Sequence, residues 1–259
     1  VSVLFAWKLI GQLISSESEG NTKVVLFAWK LIGQLIRIHH HLGHVRYCKH
    51  HRFLFSPEYH EFFAEFHNTS HGDYRLDTRI YLDPAAVVSP TDSPIGAIVA
   101  KNPGSAKPNP AHGYGKLAPL LLHKDNMLPT VRNVFATARK LAISQGRTPD
   151  GNYVQVLNLS YFCNPDISVL RTYLKGGQTS HVCSRESTAY PVVWYAWGPS
   201  DSLLNPLKTR FSRLKACSAI FYDYNTKEVK THIPTCLDFV KHPQGMPHFP
   251  FINDLAKLL

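Results

Sequence analysis

SPIGAIVAKNPGSAKPNP, residues 93–110, decides the fold. Ser93–Ala100 is a short apolar run of the kind that forms a buried strand. It runs into KNPGSAKPNP, a loop dense in proline and glycine. Working outward, Thr130–Gly146 places Val131, Val134, Phe135, Ala138, Leu141 and Ala142 at i, i+3, i+4 spacing and stops at Gly146. That pattern predicts an amphipathic helix. Tyr153–Phe162 and Tyr190–Gly198 read as two further buried strands, Leu203–Leu214 as a helix and Cys217–Tyr224 as a fourth strand. FPFINDLAKLL closes the chain with a short helix. Strands alternating with helices in this order predict an α/β fold with a central parallel, or mostly parallel, sheet flanked by helices. Ligands of such sheets bind outside the carboxyl ends of the strands. The informative residues are therefore Asn102-Pro103-Gly104, Asn158-Leu159, Trp197-Gly198 and the late loop His242–Pro250.

Composition sets the outer bounds. The chain has 259 residues, a net charge of +10 and 44% hydrophobic residues, enough for a real core, which excludes a wholly disordered chain. Its 18 prolines and 15 glycines exclude a coiled coil. Basic, with 12% aromatics, it favours an anionic partner, nucleic acid first and a membrane surface second. No obligatory protein partner is indicated. The five cysteines, at 48, 163, 183, 217 and 236, form no CxxC pair. This argues against a disulfide scaffold or a four-cysteine metal site, and a reducing, cytoplasmic compartment is expected. Phosphate-loop, dinucleotide-binding, zincin and serine-hydrolase motifs are all missing, so no cofactor is expected.

The first part, residues 1–52, reads differently from the α/β part, residues 53–259. VLFAWKLIGQLI stands at Val3–Ile14 and again, letter for letter, at Val25–Ile36, a period of 22 residues. Identity this complete points to a recent duplication or to an artefact of sequence assembly. As a helix each copy would rise about 18 Å, short of the ~30 Å hydrocarbon core, so a single membrane span is not expected. With no basic leader or A-x-A site, neither is a cleavable signal peptide. Each copy is read either as a helix packed on its twin or on the main domain, or as an interfacial anchor or oligomerisation hairpin. RIHHHLGHVRYCKHHRF, residues 37–53, crowds six histidines and Cys48 together. Adjacent histidines cannot all face one ion, so the favoured reading is a solvated basic strip rather than a metal site.

The strand ends carry a resemblance. Asn102-Pro103-Gly104-Ser105-Ala106, then Asp125 with Thr130 and Arg132, Asn158-Leu159, Ala196-Trp197-Gly198 and Gly245-x-Pro247-His248-x-Pro250 follow one another in order. Residues from about 74 to 259 thereby resemble an uncharacterised family of bacterial and phage proteins, itself similar in pattern to the uracil-DNA glycosylase superfamily. The resemblance implies a glycosylase-like fold and a monofunctional DNA glycosylase that hydrolyses the N-glycosidic bond of a damaged or modified base. The nearer family's distribution suits a role in phage defence or phage biology. Carried over, Asn102 would position water, Asn158 would pair with the flipped base, and His242 or His248 would hydrogen-bond the leaving base. Pro103, Gly104, Asp125, Arg132, Trp197 and Gly198 would line the substrate site. The first motif has no carboxylate, which predicts modest catalytic power or a non-uracil substrate.

The chemistry suits these residue types. The reaction develops an oxocarbenium-like sugar and an anionic base, so it needs a placed water and a hydrogen-bond donor to the anion. An asparagine amide offers both donor and acceptor to a Watson–Crick edge. A flipped base needs an aromatic platform, for which Tyr114, Tyr161 and Phe162 are candidates. Two rival expectations stand beside the enzyme: a non-catalytic nucleic-acid-binding module of the same fold, and an enzyme acting on a free nucleotide.

Overall fold

The apolar run at the heart of the sequence, Pro94–Ala100, lies inside a nine-stranded sheet. The computed structural model describes residues 45–46, 54–55 and 59–259, without 86, 123–124, 165 and 177–180. The chain divides into two units, Val1–Glu58 and Tyr59–Leu259. In the first, β1 (Val45–Arg46) and β2 (Leu54–Phe55) pair antiparallel. The repeated apolar blocks and the histidines of the basic strip lie outside the described residues.

The second unit contains β3 (His60–Thr69), β4 (Gly72–Ala85), β5 (Pro94–Ala100), β6 (Lys107–Pro108), β7 (Leu117–Leu121), β8 (Tyr153–Asn158), β9 (Tyr190–Tyr195), β10 (Ala216–Asp223) and β11 (Glu228–Lys230). Its helices are α1 (Met127–Ser144), α2 (Ile167–Lys175), α3 (Asn205–Phe211) and α4 (His248–Leu258). The sheet order is β11-β10-β9-β5-β8-β4-β3-β7-β6. Strands β10, β9, β5 and β8 are mutually parallel, and successive ones are linked through α1, α2 and α3. In chain order the four lie second-first-third-fourth. The order therefore reverses between β5 and β9, which is where open α/β sheets hold their ligands.

Both faces of the sheet are covered, which is why these strands read as unbroken apolar runs. On one face Ile98, Val156 and Trp194 meet Val131 and Phe135 of α1 and Phe251 of α4. On the other, Val99, Leu157 and Val193 meet Leu170 of α2 and Phe211 of α3. Each such fully buried side chain contributes roughly 1.5–3 kcal/mol.

The fold is mixed α/β, but the expectation of a parallel or mostly parallel sheet needs correction. Within this sheet three strand pairings are parallel and five are antiparallel. The reason is local: β3–β4, β6–β7 and β10–β11 are hairpins with short connections, and a short connection permits only antiparallel pairing. They extend the parallel unit on both sides. No helix among the described residues is long and apolar enough to cross a membrane.

Candidate active site

Four chain segments meet at the carboxyl edge of the parallel unit. Beyond β5, Asn102-Pro103-Gly104 forms a turn in which Gly104 takes φ +74°, a conformation Pro-Gly turns use and side-chain-bearing residues avoid. Beyond β8 the chain runs alongside it: Leu159 and Ser160 donate their amides to the carbonyls of Ala100 and Lys101 at 2.9 and 3.1 Å. Asn102 Nδ2 donates to the carbonyl of Asn164, which fixes the amide plane. Beyond β9, Gly198 donates its amide to Val240 at 2.8 Å, drawing in the late loop. A Cβ on Gly198 would lie 3.4 Å from Cε and Nζ of Lys101, so this glycine brings the end of β9 against the end of β5.

Inside this edge lies a buried polar group. Asn158 is the last residue of β8, in register with Ala100 of β5, and is completely buried. By strand alternation it shares a face with Val156, the face that α1 covers. Among the described residues neither its Nδ2 nor its Oδ1 has a hydrogen-bond partner. A buried polar atom without a partner costs about 1–3 kcal/mol, so its retention needs a reason beyond folding.

Arg75 joins it through a bulge. Ala64 and Phe66 of β3 face the same core, and they pair with Thr78 and Arg75 of β4, so β4 holds one extra residue between them. Bulges re-aim side chains, and this one turns Arg75 toward the α1 side. Its guanidinium is fully buried and, among the described residues, makes no hydrogen bond; Nη1 stands 3.7 Å from Oδ2 of Asp125. Desolvation lowers the Arg75 pKa, opposed by Cys163 and Asp125. Asp125 in turn accepts from the amides of Met127 and Leu128 at 2.9 and 3.3 Å through Oδ1, capping the first turn of α1. Gly104 lies over this pair, since a Cβ there would come within 3.5 Å of Asp125 Oδ2. Burial pushes the neighbouring Cys163 thiol up to about 12, against the pull of Arg75, so it is no thiolate nucleophile.

The two late-loop histidines differ. The Nε2 of His248, at the start of α4, is 2.9 Å from the carbonyl of Pro243 and ties the loop to the helix. Nδ1 of His242 accepts from the amide of Gln244 at 3.3 Å, which places the ring proton on Nε2. Desolvation, then the nearby Lys101 ammonium, lowers the His242 pKa, while Asp125 pulls the other way. The neutral, proton-bearing imidazole is the form these surroundings favour.

The remaining sequence-derived candidates fall into place unevenly. Pro103 is buried within its turn. Tyr114, 48% exposed, stands beside Asp73 and Cys163 at the rim. Trp197 is buried, edge-on to Tyr195 and beneath Lys208, with no partner for its Nε1 among the described residues, and its Gly198 neighbour makes the close approach. Arg132 is not brought to this edge; it bonds the Leu82 carbonyl and Glu61 at 2.9 and 2.8 Å, tying α1 to the antiparallel strands. Of the other two aromatic candidates, Tyr161 is buried with its hydroxyl on Glu186, and Phe162 stacks at 4.8 Å on Tyr173. Neither ring is free to meet a base. Arg75 and Lys101 were missed by the sequence reading. Lys101 could have been found as the first polar residue after the β5 run; Arg75 gave no signal, because the bulge breaks the alternation that would have revealed its face.

The site therefore belongs to an open α/β unit whose polar groups line the carboxyl ends of its parallel strands, with Lys101 and Gly198 at the switch point and Asn158 one strand away. Comparison with family models, curated proteins and solved structures finds no match.

Proposed function

We propose that this crevice hydrolyses the N-glycosidic bond of a damaged or modified base in DNA. The observation that carries the reading is Asn158, a fully buried amide at a strand's carboxyl end with donor and acceptor both unpartnered. A nucleobase edge presents the complementary acceptor and donor side by side, so an inserted base would recover what the empty amide costs the fold. Asn102, with Nδ2 held by Asn164, keeps Oδ1 to accept from an attacking water. A neutral amide orients water but is a weak base, so the leaving base must be stabilised well. We assign that role to His242, whose Nε2 proton can be donated to a base carbonyl as negative charge develops, rather than to His248, whose Nε2 already serves Pro243. One such donor is worth roughly 3 kcal/mol. Arg75 adds positive charge behind the forming anion. The exposed ring of Tyr114 supplies a platform for the displaced nucleotide. A part in defence against phages with modified DNA accords with this chemistry.

An abasic-site assay tests the proposal. Oligonucleotides carrying uracil, hydroxymethyluracil, hypoxanthine, or hydroxymethylated or glucosylated cytosine are incubated with the protein and treated with hot alkali. Cleavage of one of them, lost in Asn102→Ala and reduced about 10²–10³-fold in His242→Ala, is the expected result. Salt-sensitive binding without cleavage of any substrate would replace the enzyme with a binding module. Turnover of a free nucleotide without DNA would move the substrate class.

A further inference from the structure

Lys101 occupies a setting that holding the fold together does not require. It follows β5 directly, is half-buried, and its amine rests against Gly198, which has no side chain to displace it. Among the described residues Nζ makes no hydrogen bond and no ion pair. Its charged neighbours are the cations Arg171 from α2 and Lys208 from α3 and the anion Asp201, and the neutral His242 of the late loop lies near as well. The anion in reach, Asp201, is already engaged by Arg171, whose Nε and Nη2 donate to it at 3.1 and 2.7 Å. A lysine that is partly desolvated and next to other cations gives up its proton readily and becomes a nucleophile. Burial first and Arg171 second lower the Lys101 pKa, in keeping with that geometry.

We propose that Lys101 is an amine nucleophile that forms an imine with the aldehyde of an abasic deoxyribose held in this crevice. The proposal rests on the reading of the crevice as a site for a base-bearing sugar, and it adds a covalent activity to that site. The unprotonated Nζ donates its lone pair to C1′ of the open-chain sugar, and the carbonyl π electrons pass to oxygen. One proton moves from nitrogen to that oxygen, giving a carbinolamine. The hydroxyl then departs as water, taking a second proton, and a carbon–nitrogen double bond remains. Nothing is oxidised or reduced. His242, with its proton on Nε2 and Lys101 among its neighbours, is the group placed to hydrogen-bond the departing oxygen while the proton passes to it from nitrogen.

The test is reductive trapping. The full chain is mixed with an end-labelled oligonucleotide carrying one preformed abasic site, in the presence of sodium cyanoborohydride, which reduces an imine to a stable amine. A covalent band is expected, with peptide mapping placing the sugar on Lys101. Its yield should fall about ten-fold or more in Lys101→Arg and Lys101→Ala. Lys101→Arg keeps the positive charge, so it should still bind the oligonucleotide; a lysine that served only as a phosphate contact would show no adduct in the wild type. No adduct overturns the proposal, as does an adduct undiminished in Lys101→Arg. The sugar is supplied already abasic, so an adduct without excision of any base would leave the imine standing and the glycosylase reading fallen. Excision without an adduct would do the reverse.

Discussion

A side-chain amide sealed in a protein interior with no partner works against folding, and Asn158 is such a group. Leucine has nearly its shape and no polar atoms. Asn158→Leu is therefore expected to raise the free energy of unfolding by about 1–3 kcal/mol while abolishing base excision. Urea unfolding and the abasic-site assay, run on one preparation, check both halves. If the variant is less stable, an unrecognised partner satisfies the amide, and the main support for base reading goes with it. Asn158 was legible in the sequence because it ends an apolar run where ligands of parallel sheets bind. Asn102 was legible in the same way, whereas His242 and His248 came from the resemblance. What the letters could not separate was His242 from His248. That distinction depends on which ring nitrogen meets which backbone group, a matter of loop closure rather than spacing.

At the scale of elements, Asp125 does two jobs with two oxygens: Oδ1 caps α1 and Oδ2 faces the buried Arg75. The two can be taken apart. Asp125→Asn keeps an oxygen for the cap but removes the charge, leaving Arg75 uncompensated at a cost of about 3–5 kcal/mol. Asp125→Ala loses the cap as well, a further ~1 kcal/mol. Equal destabilisation by the two variants in urea would mean that the cap contributes nothing. Equality of Asp125→Asn with the wild type would mean that the buried pair is not an ion pair. The parallel strands and α1 were readable because burial on both faces and 3.6-residue periodicity are local patterns. Observed Pro94–Ala100, Tyr153–Asn158 and Tyr190–Tyr195 lie within the expected strands, and α1 starts three residues before its expected Thr130. The bulge in β4 was not readable, since it exists only in the pairing with β3.

For the whole molecule the same division holds. The helix-linked strands β5, β8, β9 and β10 could be assembled from alternating patterns, whereas the wing of β4, β3, β7 and β6 could not. Its strands are chosen by pairing with distant segments, and HEFFAEFHNT carries charges and histidines among its apolar residues. Net charge belongs to this scale too, and it bears on which substrate the crevice serves. A chain of +10 that follows a DNA backbone releases counterions as it binds, so affinity must fall steeply with salt. Beyond β10, Lys227 and Lys241 lie over the face of the half-exposed Tyr224, 3.3 and 4.7 Å from its centre, and Lys241 adjoins His242. On the proposed function this cluster would be the first contact for phosphates flanking the nucleotide. Each phosphate contact contributes close to one unit to the slope of log affinity against log salt, about 0.9 on duplex DNA. Replacing both lysines with glutamine should therefore reduce the slope by about two on duplex DNA while leaving the abasic product the same in kind. Fluorescence anisotropy of a labelled oligonucleotide across a salt series measures it. An unchanged slope would move the DNA path away from Tyr224. A wild-type affinity indifferent to salt would argue that the positive charge serves something other than a polyanion, and would turn attention to a single nucleotide in the same crevice.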